Sequence, residues 1–177
     1  MFIYFLIFFP NDLTFKNLDE LKYIDSLSNP SLRNLGLFFT LFHSSTSKSL
    51  EKIFLYFGYS KRDFFDFENK KLNAFWYSPP NDKYPRVFIS ELRIKELSSP
   101  SYKIIQKYLY NVNKDPVDDL DFNNLNDIVN FFQKPLWELP KYKDYKKLLN
   151  ESEYAAWVIY NRYYLNHYTM SIHMLNK

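Results

Sequence analysis

The sequence predicts a single α+β domain in which a mixed or antiparallel sheet packs with helices. Segments with apolar residues at helical spacing are interleaved with short strand-like runs. With 177 residues, of which 46% are hydrophobic, the chain has enough material for one core. No repeat of about 20 to 50 residues and no low-complexity linker divides the sequence. We therefore expect residues 1–177 to form one domain.

The first helix is predicted around residues 47–58. Ser47 or Ser49 can cap its amino end, and Gly58 can end it. Apolar residues recur between these signals at the i, i+3, i+4, i+7 spacing of an amphipathic helix, namely Leu50, Ile53, Phe54 and Phe57.

A β-hairpin is predicted next. LNAFWYS, residues 72–78, ends at Pro79 and Pro80, and RVFISEL, residues 86–92, follows Pro85. Both runs are rich in β-branched and aromatic residues and are separated by a polar turn.

Three further helices are predicted. The first begins at Ser99 and Pro100, a favourable start for a helix, and runs to about Tyr110. The second precedes Pro135 and carries an apolar stripe of Leu125, Ile128, Val129 and Phe132. The third is short and covers about residues 143–150.

An acidic loop separates the first two of these helices. Its aspartates invite a calcium-binding interpretation: Asp115, Asp118, Asp119 and Asp121. However, the loop lacks the glycine and the terminal glutamate of an EF-hand, so a solvated acidic loop is favoured.

The segment ESEYAAWVIYNRYYLNHYTMSIHM, residues 151–174, runs from a helix-like stretch into an alternating strand. Side chains alternate across a strand, so the polar residues share one face and the apolar residues share the other. The polar set is His167, Thr169, Ser171 and His173, and the apolar set is Tyr168, Met170, Ile172 and Met174. His167 and His173 are about 20 Å apart along such a strand and cannot bind one metal ion. Each histidine can instead be a half-buried polar residue on a sheet. This alternating strand is the last one in the sequence, so it would form an exposed edge of the sheet.

Composition argues against several classes of protein. Two glycines cannot build the usual phosphate-binding loops, and without cysteine there is no disulfide or thiolate site. The net charge of +3 comes from interspersed charges, which does not favour nucleic acid. The apolar start MFIYFLIFFP is too short to span a membrane, which takes about 20 residues. The lack of cysteine also fits a reducing compartment, so we expect a cytoplasmic protein.

Three stretches resemble the 2-oxoadipate dioxygenase/decarboxylase family of non-haem iron enzymes, whose fold resembles the vicinal-oxygen-chelate metalloenzymes. They are GYSKRDFFDFENKKLNAFWYSPP, residues 58–80; PRVFISEL, residues 85–92; and YKDYKKLLNESEYAAWVIYNRYYLNHYT, residues 142–169. The resemblance covers about residues 45–177, whereas residues 1–44 diverge. It implies a partial vicinal-oxygen-chelate-like domain.

The resemblance also implies where a metal would bind. The family's Asn-His-x-Thr element supplies one iron ligand, which makes His167 the metal-ligand candidate. The family's first histidine lies in an Asn-Asp-His-x-Ala-x-Arg-Thr stretch, but the corresponding residues 32–42 lack both that histidine and that arginine. His43 lies a few residues too late. The third ligand, a glutamate, comes from a portion beyond the histidine strand, whereas this chain stops at Lys177. The sequence is therefore expected to be an incomplete, N-terminal fragment of the domain.

In the family, Fe(II) and O2 support oxidative decarboxylation of 2-oxoadipate to 2-hydroxyglutarate, a reaction of lysine catabolism. The resemblance implies this reaction, with a 2-oxo acid and O2 as small-molecule partners, and indicates no protein partner. A single histidine cannot form a facial triad. The alternative is therefore an inactive truncated or divergent relative that acts as a scaffold or binding protein. No catalytic residue is assigned, because Glu91 is better explained by pairing with Arg86 or Arg93.

Overall fold

The computed structural model describes residues 35–42, 47–81, 84–112, 114–164 and 167–170. Five strands and five α-helices lie in this part of the chain. In chain order they are β1 (Leu35–Phe42), α1 (Ser47–Tyr56), β2 (Ser60–Phe67), β3 (Leu72–Ser78), β4 (Arg86–Leu92), α2 (Ser99–Leu109), α3 (Leu125–Gln133), α4 (Tyr142–Glu151), α5 (Glu153–Asn161) and β5 (His167–Met170).

The strands form one mixed sheet in the order β2-β3-β4-β1-β5. β1 runs parallel to β4, while the other neighbouring pairs are antiparallel. The predicted fold class is confirmed, and the predicted hairpin forms between β3 and β4. Within the described sheet β5 is an edge strand, as predicted.

Helix α1 covers one face of the sheet. Directly paired residues on neighbouring strands lie on the same face, so Tyr77 shares a face with Val87. Both are buried, and the Tyr77 hydroxyl donates to Glu51 of α1 at 2.7 Å. Glu51 also accepts from Lys61 of β2, so one carboxylate ties α1 to two strands.

The end of α1 is fixed by backbone hydrogen bonds around Gly58, as the sequence predicts. The Tyr59 N–H donates to the Phe54 carbonyl at 3.0 Å, and the Gly58 N–H donates to the Leu55 carbonyl at 3.0 Å. This pair of bonds is the Schellman motif, which places its terminal residue at positive φ. Gly58 has φ +83°, and the rings of Phe54 and Tyr59 meet edge to face.

The helices after β4 pack at the end of the sheet where β1 and β4 finish. Trp137 stacks on Phe42 of β1 at 5.8 Å between ring centres and meets Tyr163 edge to face at 6.2 Å. Its indole Nε1–H donates to the Ile159 carbonyl at 2.8 Å. Trp137 therefore links β1 to α5 and to the chain that follows α5.

The apolar stripe predicted for α3 is partly wrong. Ile128 is buried as expected, but Leu125 is 51% exposed and Phe131 is buried in its place. Phe131 contacts Tyr163 at 6.0 Å between ring centres. The buried side of α3 therefore faces Tyr163, which in turn packs on Trp137. The local spacing does not reveal this orientation.

No helix in the described part of the chain is long and apolar enough to cross a membrane. The opening segment MFIYFLIFFP lies outside the described residues.

Candidate functional site

A row of paired residues crosses the sheet, and the part of it on β3 and β4 lies on the face opposite α1. Trp76 of β3 pairs with Phe88 of β4, Phe88 pairs with Phe38 of β1, and Phe38 pairs with His167 of β5. Strand spacing of about 4.8 Å places the His167 backbone about 10 Å from that of Phe88. We call the side of the sheet that carries Trp76 and Phe88 the open face, because both side chains are only half-buried there.

The sequence-predicted ligand His167 is the first residue of β5. Its strand conformation agrees with the prediction, and the next residue but one, Thr169, pairs with Gly36. The direction of the imidazole stays a prediction. Asn166, His43 and His173 lie outside the described residues.

Trp76 is held in place on the open face by polar contacts. Its Nε1–H donates to Asp63 of β2 at 3.0 Å. The Arg86 guanidinium lies over the same ring, with its central carbon 5.8 Å from the ring centre. An aromatic face attracts such a cation. Ser90, two residues after Phe88 on β4, is also half-buried on the open face.

Glu91 lies on the α1 side of the sheet, because it pairs with Asn73 and alternates with Ser90. Burial raises the pKa of the Tyr77 hydroxyl well above its usual value, and the carboxylates of Glu51 and Glu91 raise it further. Glu91 therefore lies on the opposite side of the sheet from Trp76 and Phe88.

Arg93, one of the two partners that the sequence suggested for Glu91, contacts three other side chains. Its Nη1 donates to Asp66 at 2.7 Å and to Asn73 at 2.6 Å, and its Nε donates to Glu96 at 2.7 Å. These bonds fasten the β2–β3 hairpin to the end of β4.

The described residues do not complete a metal site. No group of three or more histidine, aspartate or glutamate side chains among them could hold an ion together. A facial triad needs two histidines and one carboxylate on one side of the metal, and of these only the His167 position lies in the described sheet.

A shallow cleft of about 400 Å³ lies along residues 66–70, at the turn between β2 and β3. Since β2 and β5 are opposite edges of the sheet, this cleft is remote from His167.

The chain matches the family model described as 2-oxoadipate dioxygenase/decarboxylase over residues 44–177. The chain belongs to this family. The match begins where the resemblance predicted, and residues 1–43 lie outside it. A rice (Oryza sativa subsp. japonica) relative named 2-oxoadipate dioxygenase/decarboxylase, chloroplastic/amyloplastic, is 44% identical in an alignment of 138 residues that covers 72% of this chain.

One solved structure supports the same assignment, and a second shares the fold. Hydroxyglutarate synthase from Oryza sativa, in complex with 2-oxoadipate, has a TM-score of 0.67 and 35% identity over 90% of this chain and 55% of its own. A glyoxalase superfamily protein from Ralstonia eutropha has a TM-score of 0.63 at 16% identity over 85% of this chain and 57% of its own, which shows the fold alone.

The chain spans about a third of the length of the rice relative, 36% of it. That relative's name places it in plastids, and a cytoplasmic location for this chain stays a prediction.

Proposed function

We propose that this chain forms part of an Fe(II)-dependent 2-oxoadipate dioxygenase/decarboxylase, with His167 as one metal ligand. The observation that carries the proposal is the place of His167 in the sheet. His167 is the first residue of β5, the strand that pairs with β1. The strand register places its backbone in one row with those of Phe88 and Trp76, which are half-buried. Family membership and the name of the rice relative support the reaction class, oxidative decarboxylation of a 2-oxo acid.

The residues of this chain would contribute mainly by position. Because directly paired residues point to one side, the register favours an imidazole on the open face, where an ion bound to it would lie above the sheet. When bound, Fe(II) would hold the 2-oxo acid and O2 together. Thr169, two residues along β5, would share that face. Lysine catabolism is the metabolic setting that this reaction implies.

We propose further that this chain by itself turns over little or no 2-oxoadipate. Within the described residues His167 is the one histidine, and it leaves most coordination positions of the metal without protein ligands. The competing proposal is a relative without enzymatic activity that retains the sheet as a scaffold.

Cobalt(II) is a suitable probe of the ligand, since it replaces iron and absorbs visible light. Because a single histidine holds the ion weakly, cobalt(II) is added in excess, and we expect His167→Ala to remove the spectral change that the wild-type chain produces, while His173→Ala leaves it unchanged. His43→Ala tests the other histidine that could contribute. Equal spectra for the wild-type chain and His167→Ala would remove the site assignment.

Activity is tested by incubating the chain with Fe(II), 2-oxoadipate and O2 and measuring CO2. We expect far less than one CO2 per added 2-oxoadipate. Stoichiometric release would contradict the predicted inactivity and would support the enzyme directly.

A further inference from the structure

Helix α4 separates its charges between two sides. Its carboxylates are held by α2: Asp144 accepts from Lys107 at 2.8 Å, and Glu151 accepts from two serines at the N-terminus of α2. The lysines in and just before α4 are all exposed, and within the described residues none of them makes an ion pair: Lys141, Lys143, Lys146 and Lys147. The outward side of α4 therefore presents ammonium groups, whereas its carboxylates are turned inward.

The net charge of the chain is concentrated in this segment. Residues 139–150 contain four lysines and one aspartate, which gives a net charge of +3, the same as that of the whole chain. The other residues are therefore neutral when taken together. Since exposed charges act over about 10 Å at 0.1 M salt, this cluster attracts an anionic partner more strongly than a surface of mixed charge does.

Aromatic and apolar side chains are exposed beside these lysines. Tyr142 is 73% exposed and Leu149 is 39% exposed, and residues seven apart share one side of a helix. Tyr160 of α5 is 52% exposed and lies beside α4, because its ring meets that of Tyr145 edge to face at 6.4 Å. We call the following set the α4 surface: Tyr142, Lys143, Lys146, Lys147, Leu149 and Tyr160.

The shape of this surface indicates the kind of partner. The outward side of a helix is convex, so the α4 surface meets a flat partner and does not enclose a small ligand. A bilayer with anionic lipids matches both of its components, since the headgroups attract lysine and the interface accommodates tyrosine and leucine.

Single-stranded nucleic acid also carries phosphates, but it requires free ring faces on which its bases stack. Here the Lys146 ammonium lies over the Tyr142 ring, 5.8 Å from the ring centre, and Tyr145 is packed against Tyr160. Exposed Leu149 has no counterpart in base stacking, whereas it can enter a lipid interface. The observations therefore favour a membrane.

We propose that the α4 surface binds a membrane that contains anionic lipids, with α4 lying along the membrane plane. The lysines supply the attraction to the headgroups, and each lysine near such a surface contributes about fivefold in affinity. Tyr142, Leu149 and Tyr160 would contact the boundary between headgroups and acyl chains. This binding is peripheral and does not require a helix that spans the membrane.

The test measures cosedimentation of the full chain with vesicles. One set is made of phosphatidylcholine alone, and the other, the anionic vesicles, also contains phosphatidylserine. We expect the wild-type chain to bind the anionic vesicles about a hundredfold more tightly, and this preference should shrink as salt is raised. The double variant Lys143→Gln with Lys146→Gln should bind the anionic vesicles about twenty-five-fold more weakly than wild type.

Arg62→Gln with Lys114→Gln is the matched control. It removes the same charge from two exposed positions elsewhere, on β2 and in the loop before α3, and should bind as the wild-type chain does. Tyr142→Ser removes an exposed ring without changing charge and should weaken binding by about threefold to tenfold. Circular dichroism and thermal unfolding check that each variant retains the fold.

Two results would overturn the proposal: equal binding of the wild-type chain to both sets of vesicles, or a double lysine variant that binds the anionic vesicles as tightly as the control variant does. A labelled single-stranded oligonucleotide, followed by fluorescence anisotropy, tests the competing partner. If the wild-type chain binds it more tightly than the anionic vesicles, and the double lysine variant loses that binding, the α4 surface is a nucleic-acid site and the membrane proposal is wrong.

Discussion

At the scale of single residues, Glu151 shows how one carboxylate can join two helices. It lies at the end of α4 and accepts hydrogen bonds from the Ser98 backbone N–H at 2.7 Å, the Ser98 hydroxyl at 2.6 Å and the Ser101 hydroxyl at 2.5 Å. Ser98 is the N-cap of α2. A negative charge is favourable there because the N-terminus of a helix carries partial positive charge.

Replacing this carboxylate should destabilise the protein. Burial alone raises the pKa of Glu151, but the hydrogen bonds from Ser101 and Ser98 outweigh it and hold the pKa below its usual value. We expect Glu151→Gln to lower the free energy of unfolding by about 1–3 kcal/mol at neutral pH, as measured by urea denaturation.

The pH dependence follows from the direction of that shift. Since the folded-state pKa is lower than the unfolded value of about 4.5, the carboxylate stabilises the fold above that pH. The stabilisation is lost as the pH falls through the folded-state pKa, so the wild-type chain and Glu151→Gln should converge in acid. The exposed Glu138→Gln is the control. A difference between wild type and Glu151→Gln that stays constant down to about pH 3 would contradict this account.

At the scale of secondary-structure elements, local signals predicted α1 and the hairpin of β3 and β4. Capping residues and prolines mark their ends, and these signals act within a few residues. β1 and β2 were not predicted as strands. β2 is exposed along its whole length, so it lacks the apolar alternation of a half-buried strand. β1 reads LGLFFTLF, a nearly continuous apolar run, because it lies between β4 and β5.

The candidate site shows the same limit at the level of strand pairing. The strand of His167 could be predicted from its own alternation. The positions of Trp76 and Arg86 relative to it could not, because they depend on the register of β3, β4, β1 and β5. Register between distant strands is not encoded in any one local pattern.

Gly58 provides a test of the α1 ending. A non-glycine residue at this position would have to adopt φ +83°, and its Cβ would lie 3.4 Å from the Pro80 Cβ. We expect Gly58→Ala to lower the free energy of unfolding by about 1–2 kcal/mol. Gly58→Asn should cost less, because asparagine tolerates positive φ better. In urea denaturation, the free energy of unfolding should fall in the order glycine, asparagine, alanine at position 58. An alanine variant as stable as wild type would contradict the assigned end of α1.

At the scale of the whole molecule, the sheet and the later helices share one core. Buried residues from β1, β4, α2 and α5 belong to a single cluster, including Phe42, Leu92, Ile105 and Ile159. Trp137 belongs to this cluster and contacts both Phe42 of β1 and the Ile159 carbonyl of α5. If this junction couples the two parts, they should unfold together.

Two substitutions of Trp137 separate its packing from its hydrogen bond. Trp137→Phe keeps a ring against Phe42 but loses the donor to the Ile159 carbonyl, which should cost about 1–2 kcal/mol. Trp137→Ala also leaves a cavity, which should cost about 3–5 kcal/mol. Trp76 on β3 and Trp157 on α5 remain as fluorescent probes in both variants. In Trp137→Phe, fluorescence and far-UV circular dichroism should change at the same urea concentration, since one core holds both parts. Loss of the helical signal well before the fluorescence change would instead show that the helices and the sheet are separate folding units.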